Sequence, residues 1–194
     1  MQALTAADLL SLEQYARERA TIRRRMIAYR AARRLEVGPN CTWSFEDRET
    51  VRYQVQEMLR TERVFEAAGI GEELSAYNPL IPDGQNLKAT LLIEYPDPTE
   101  RAQRLALLRG LERQCWLAVA GQPRVLAVAD EDLERENESK TSAVHFLRFE
   151  LTTPMVAALK SGAALAAGID HPAYLHTVAQ VPVTLRELLL ADLN

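Results

Sequence analysis

Residues 88–129 read KATLLIEYPDPTERAQRLALLRGLERQCWLAVAGQPRVLAVA, and the period of their apolar residues changes twice. KATLLIEY has the β-branched and aromatic content of a strand. Asp97-Pro98-Thr99-Glu100 then supplies an acidic cap and a first-turn proline for a helix that Gly110 closes. QCWLAVA and RVLAVA flank Gly121-Gln122-Pro123 and predict a hairpin. Toward the C-terminus, SAVHFLRFEL predicts a strand and Thr153-Pro154 opens a helix expected to stop at Gly168. AYLHTVAQV is a fifth strand and LRELLLADL a closing helix.

Toward the N-terminus the pattern is helical. Asn78-Pro-Leu-Ile-Pro-Asp-Gly84 is a long turn, and Ser44-Phe-Glu-Asp47 offers a capping box for a helix reaching about Ala68, with Gly69 and Gly71 ending it. TIRRRMIAYRAARRL predicts another helix, stopped by Gly38-Pro39, and Thr5-Ala-Ala-Asp8 a capping box for a first one. The order β-α-β-β-β-α-β-α after a helical region predicts a single α+β domain over 1–194. A helical region, 1–76, packs with a mixed, mostly antiparallel five-stranded sheet and flanking helices formed by 87–194.

With 194 residues and 47% hydrophobic composition, the chain can bury a core without staples. Cys41 and Cys115 lie far apart, which excludes a local zinc ribbon or dithiol motif and fits a reducing cytosol. The opening MQALTAADLL lacks a basic leader, and no run approaches a membrane span, so a cytoplasmic protein without membrane association is expected. The net charge of −4 hides an asymmetry: Tyr15 to Leu35 holds eight arginines against Glu18 alone. The rest of the chain is strongly acidic, most of all in the segment from Asp130 to Glu138. Three consecutive arginines span most of a helix circumference with little aromatic interleaving, which argues against nucleic acid. Arg23, Arg24 and Arg25 are candidates for docking an acidic partner or the acidic segment of a second copy in a homodimer. A solvated helix is the plainer alternative.

No G-x-x-x-x-G-K, G-x-G-x-x-G, G-x-S-x-G or H-E-x-x-H occurs, so the common nucleotide, hydrolase and zincin signatures are absent. The stretch GIDHPAYLH carries His171 and His176, which five-residue spacing sends to opposite faces of a strand, so they cannot chelate one ion unaided. His145 shares a strand face with Leu147, Phe149 and Leu151 and is expected to point at an apolar layer. At 100° steps, Val51, Val55, Met58 and Phe65 form a helical stripe with Glu62 in its middle. A carboxylate there is costly unless paired or coordinated. Glu62, His145 and His171 are therefore candidate ligands for iron or zinc, with Asp170 and His176 behind them orienting an imidazole. The alternative is an ion pair with Arg63, Arg148 or an N-terminal arginine, or a stripe turned so that Glu62 reaches solvent. Candidate small-ligand groups are Tyr53, Glu57 and Arg60 on the other side of that helix, and Asn78, Asp83, Asn86 and Lys88 in the loop before the first strand. Structural turns would account equally for the loop residues.

FEDRETVRYQVQEMLRTERVFE, AYNPLIPDGQNLKATLLIEYPD, DEDLERENESKTSAVHFLRFEL and GIDHPAYLH together resemble a bacterial family of unknown function, number 3501, over nearly the full chain. The resemblance implies encoding beside rubrerythrin-like di-iron proteins and iron–sulfur oxidoreductase subunits, and hence an accessory role with a redox partner in peroxide defence or iron-linked metabolism. It assigns no catalytic residue.

Overall fold

A computed structural model describes residues 2–131, 135 and 140–194. The first helix, α1, runs from Leu12 to Ala32 and is capped by Ser11, whose hydroxyl and Gln14 satisfy each other's backbone N–H groups. The two N-terminal helices expected from sequence are thus one. The Thr5–Asp8 box is real but closes only a 3₁₀ turn, Ala6–Asp8. Strands β1 (Arg34–Glu36) and β2 (Cys41–Phe45) follow, joined by a turn in which Gly38 takes φ 78°. β2 is buried at all five positions, so Ser44 belongs to a strand and the helix cap moves to Asp47, which pairs with Thr50. Helix α2 (Arg48–Glu62) stops at Arg63 in the left-handed region, and Gly69 and Gly71 lie inside a separate helix, α3 (Ala67–Tyr77).

The rest follows the predicted order with two further strands, Val128–Ala129, split from the predicted RVLAVA strand, and Leu165–His171. β3 is Asn86–Ile93, α4 Pro98–Leu107 under an Asp97 cap, β4 Cys115–Val119 and β5 Arg124–Leu126. β6 (Val128–Ala129) and β7 (Val144–Glu150) precede α5 (Thr153–Lys160). The predicted helix to Gly168 ends eight residues early, and β8 (Leu165–His171) takes its place, paired with β9 (Tyr174–Val178) before α6 (Val183–Leu190).

The class is α+β. The strands form two antiparallel sheets and not one: β1-β2-β3-β7-β6 and β5-β4-β8-β9. The chain crosses between them at Ala127, whose N–H donates to Cys115 O at 2.9 Å before β6 joins the larger sheet. One core draws on both: Trp43, Phe45, Leu91 and Phe149 from the larger sheet, Leu117, Leu165 and Ile169 from the smaller, with Leu185 and Leu189 of α6. A second apolar cluster, Leu4, Val51, Val55, Leu59, Leu74 and Ile81, holds α2 and α3 together. β3 and β7 alternate, so the face opposite the main core carries Lys88, Thr90, Phe146 and Arg148.

Candidate functional site

The residues proposed as metal ligands do not converge. Glu62 is exposed at the end of α2, because the buried stripe is Val51, Val55 and Leu59, which turns Glu62 toward solvent. His145 is fully buried on the core side of β7, as its alternation with Leu147 and Phe149 predicts. Its Nδ1 is 2.6 Å from Asp130 Oδ2, and its Nε2 lies 2.9 Å from Thr141 Oγ1 and 3.0 Å from Ser142 O. His171 Nδ1 accepts from Ala173 N–H at 3.2 Å, which leaves Nε2 as the donor to Arg109 O at 3.1 Å. Asp170 orients no imidazole: it accepts from Trp116 Nε1 at 2.9 Å and Arg124 Nη1 at 2.7 Å. His176 packs its ring against Tyr174. Among the described residues no three His, Cys, Asp or Glu side chains come together as a metal site.

The Tyr53 side of α2 is a seam against α1. Glu57 accepts from the Tyr15 hydroxyl and takes both Arg19 nitrogens, at 2.8 and 2.7 Å, and the guanidinium holds its carboxyl below the usual range. Arg60 is exposed, while Tyr53 lines a cavity of about 240 Å³ with Tyr15, Met26 and Gln56. The loop residues are committed to structure. Asn78 exchanges two hydrogen bonds with the backbone of Leu4, at 2.8 and 3.0 Å. Asp83 and Asn86 close the turn on each other, at 3.2 and 2.8 Å, and Asn86 also donates to Glu150. Lys88 Nζ donates to Pro79 O and Ile81 O, and burial pushes its pKa down.

Two features remain open. On α1, Arg23, Arg24 and Arg25 are all exposed and have no acidic partner among the described residues. Only Tyr15 and Met26 of that helix are buried, and Ile27 is 58% exposed. Of the acidic segment 130–138 expected as its counterpart, residues 132–134 and 136–138 lie outside the described residues.

The second feature was not legible in the sequence. Between the helical layer and the outer face of the larger sheet, the described residues enclose cavities of about 70, 190 and 510 Å³ that share Leu80 and Phe146 in their walls. Glu46 borders two of them. Its side chain is 8% exposed and accepts from Thr50 Oγ1 at 2.5 Å and Thr90 Oγ1 at 2.6 Å, with Arg30 Nη2 4.0 Å away. Tyr77 and Gln54 add an aromatic wall and an amide, and the Arg135 guanidinium lies 4.5 Å from the centre of the Phe146 ring. Phe146 carried a signal, since an aromatic next to inward-facing His145 must face outward; Glu46 carried none.

No curated protein matches the chain. A crystal structure of a protein of unknown function from Burkholderia pseudomallei K96243 is 48% identical over 100% of both chains, with a TM-score of 0.95. A family model described as Protein of unknown function (DUF3501) matches residues 3–193, and the chain belongs to that family.

Proposed function

We propose that this protein is an accessory binding protein whose α1 docks an acidic surface on a partner protein. The observation that carries it is the run Arg23-Arg24-Arg25 on a helix that buries only two of its twenty-one residues. Exposed guanidiniums with no carboxylate partner among the described residues keep their field and their donors for another surface, and Ile27 gives that surface an apolar group. Arg19, by contrast, is spent on Glu57 and serves the fold. That the partner is an iron-linked redox protein is part of the proposal and rests on the family resemblance alone.

The test is a photo-crosslinking residue at position 27 in the native cell, followed by binding of the purified pair. Association should weaken by about tenfold when Arg23, Arg24 and Arg25 are replaced by serine. It should also fall steeply with salt, as the screening length contracts from about 10 Å at 0.1 M to about 3 Å at 1 M. A partner whose affinity ignores both changes would overturn the reading. So would crosslinking of the face only to a second copy of the chain.

A further inference from the structure

We infer that the cleft between α2–α3 and the outer face of the larger sheet is a binding site for a small organic cation, with Glu46 as the counter-charge and Phe146 and Tyr77 as aromatic walls. A carboxylate this far from water is costly unless its charge is matched. Thr50 and Thr90 give each Glu46 oxygen one hydroxyl donor, yet the nearest cation among the described residues, Arg30, stands 4.0 Å off and is one-third exposed. The carboxylate thus has its dipoles but lacks a close charge, and it borders open volume instead of packed side chains.

The walls have the matching chemistry. Leu80, Val51 and Val144 supply apolar surface, Gln54 a polar contact, and Phe146 a π-face in each of the three cavities. Aromatic faces attract ammonium and guanidinium groups most strongly where water is excluded. The chain itself shows this ring hosting a cation, since Arg135 lies over it at 4.5 Å. An anion is disfavoured. Of the cationic groups beside the cleft, Lys88 is committed to the carbonyls of Pro79 and Ile81, Arg148 to Glu131 and Glu150, and Arg135 to Asp130 and the Phe146 ring, while Arg30 stands toward Glu46 itself. The two cavities that Glu46 borders, about 70 and 190 Å³, suit a head group with a short apolar tail, and the one of about 510 Å³ that shares Leu80 and Phe146 with them leaves room for a longer substituent.

The probes are n-butylamine and phenethylamine against n-butanol and 2-phenylethanol, of the same size without the charge, measured by thermal shift and calorimetry on the full chain. The amines should raise the melting temperature in a saturable way and the alcohols should not. Glu46→Gln, close to isosteric, should weaken amine binding by at least about tenfold, and Phe146→Leu by several-fold. If Glu46→Gln does not fold, Phe146→Leu and the amine-to-alcohol comparison in the wild type decide. Equal binding of amines and alcohols, no binding of either, or amine affinity unchanged in a folded Glu46→Gln each overturns the site.

Discussion

At the scale of single residues, His145 shows how a plausible ligand becomes a structural clasp. Its ring meets the Asp130 carboxylate on one nitrogen and Thr141 and Ser142 on the other, so one imidazole ties both ends of the 130–142 segment to β7. Asp130 completes the joint: its other oxygen accepts from Phe146 N–H at 3.0 Å, while its backbone sits at φ 52°, a region aspartate tolerates better than most residues. Removing the ring takes one partner from Asp130, which keeps Arg135 at 3.4 Å and the Phe146 N–H, and opens a cavity at a fully buried position; the lost hydrogen bonds and the cavity together cost about 3 kcal/mol. His145→Ala should therefore lower unfolding free energy by about 3 kcal/mol in a urea titration. Asp130→Ala added to it should cost less than the two single losses summed, because both changes remove the same His145–Asp130 contact. A single-mutant loss below about 1 kcal/mol would show that the clasp contributes little. The iron or zinc role foreseen for this histidine needed Glu62 and His171 beside it, and the faces of α2 and β8 point them elsewhere.

At the scale of elements, what sequence could and could not show follows from how each element is stabilised. β3, α4, the β4–β5 hairpin, β7 and α6 were legible because their own pattern names them: alternation, an Asp-Pro cap, a Gly-Pro turn. β8 was not. ALAAGID is alanine-rich, with good helix propensity and weak alternation, and only its neighbours make it a strand. Ala167 and Ile169 face the core, while Gly168 sits opposite Trp116 of β4. The indole lies so close that a Cβ on Gly168 would stand 2.3 Å from Trp116 Cζ2 and 2.8 Å from His176 O. The same indole is pinned by Asp170 and by Arg124, 3.8 Å above its ring, so it has nowhere to move. Gly168→Ala should then destabilise by about 3 kcal/mol, the upper end of ordinary overpacking. Pairing it with Trp116→Phe, which shortens the ring system, should cost less than the two changes summed. Additive losses would mean the two residues do not meet. The candidate cleft was hidden for a related reason: it is assembled from β2–α2, α3, β3 and β7, which are distant in sequence, and no local motif spans them.

At the scale of the whole molecule, the chain is closed on itself by a buried charge cluster. Arg33, at the end of α1, pairs with Asp192 from the C-terminal turn and with Asp47 at 3.2 Å, which also accepts from the Tyr29 hydroxyl. Leu193 enters the main core, and Asn194 N–H donates to Gly84 O at 2.9 Å, so the last residues strap the helical region to the sheets. One guanidinium between two carboxylates leaves the cluster an excess negative charge. Burial pushes Asp192 up to about 6, with Arg33 opposing that rise and Asp47 adding to it. An unfolded aspartate titrates near 3.8. Between those values the native chain binds a proton that the unfolded chain does not, so this contribution is full below pH ~4 and lost as pH rises through ~6. Lowering the pH from 7.5 to 5 at constant ionic strength should raise wild-type stability, by roughly 1.4 kcal/mol from this group. In Asp192→Asn that gain should vanish, because the amide keeps a contact to Arg33 but cannot titrate. Parallel pH profiles for the two proteins would place the proton elsewhere; converging profiles at low pH would fix the strap as the site where the molecule as a whole responds to acid.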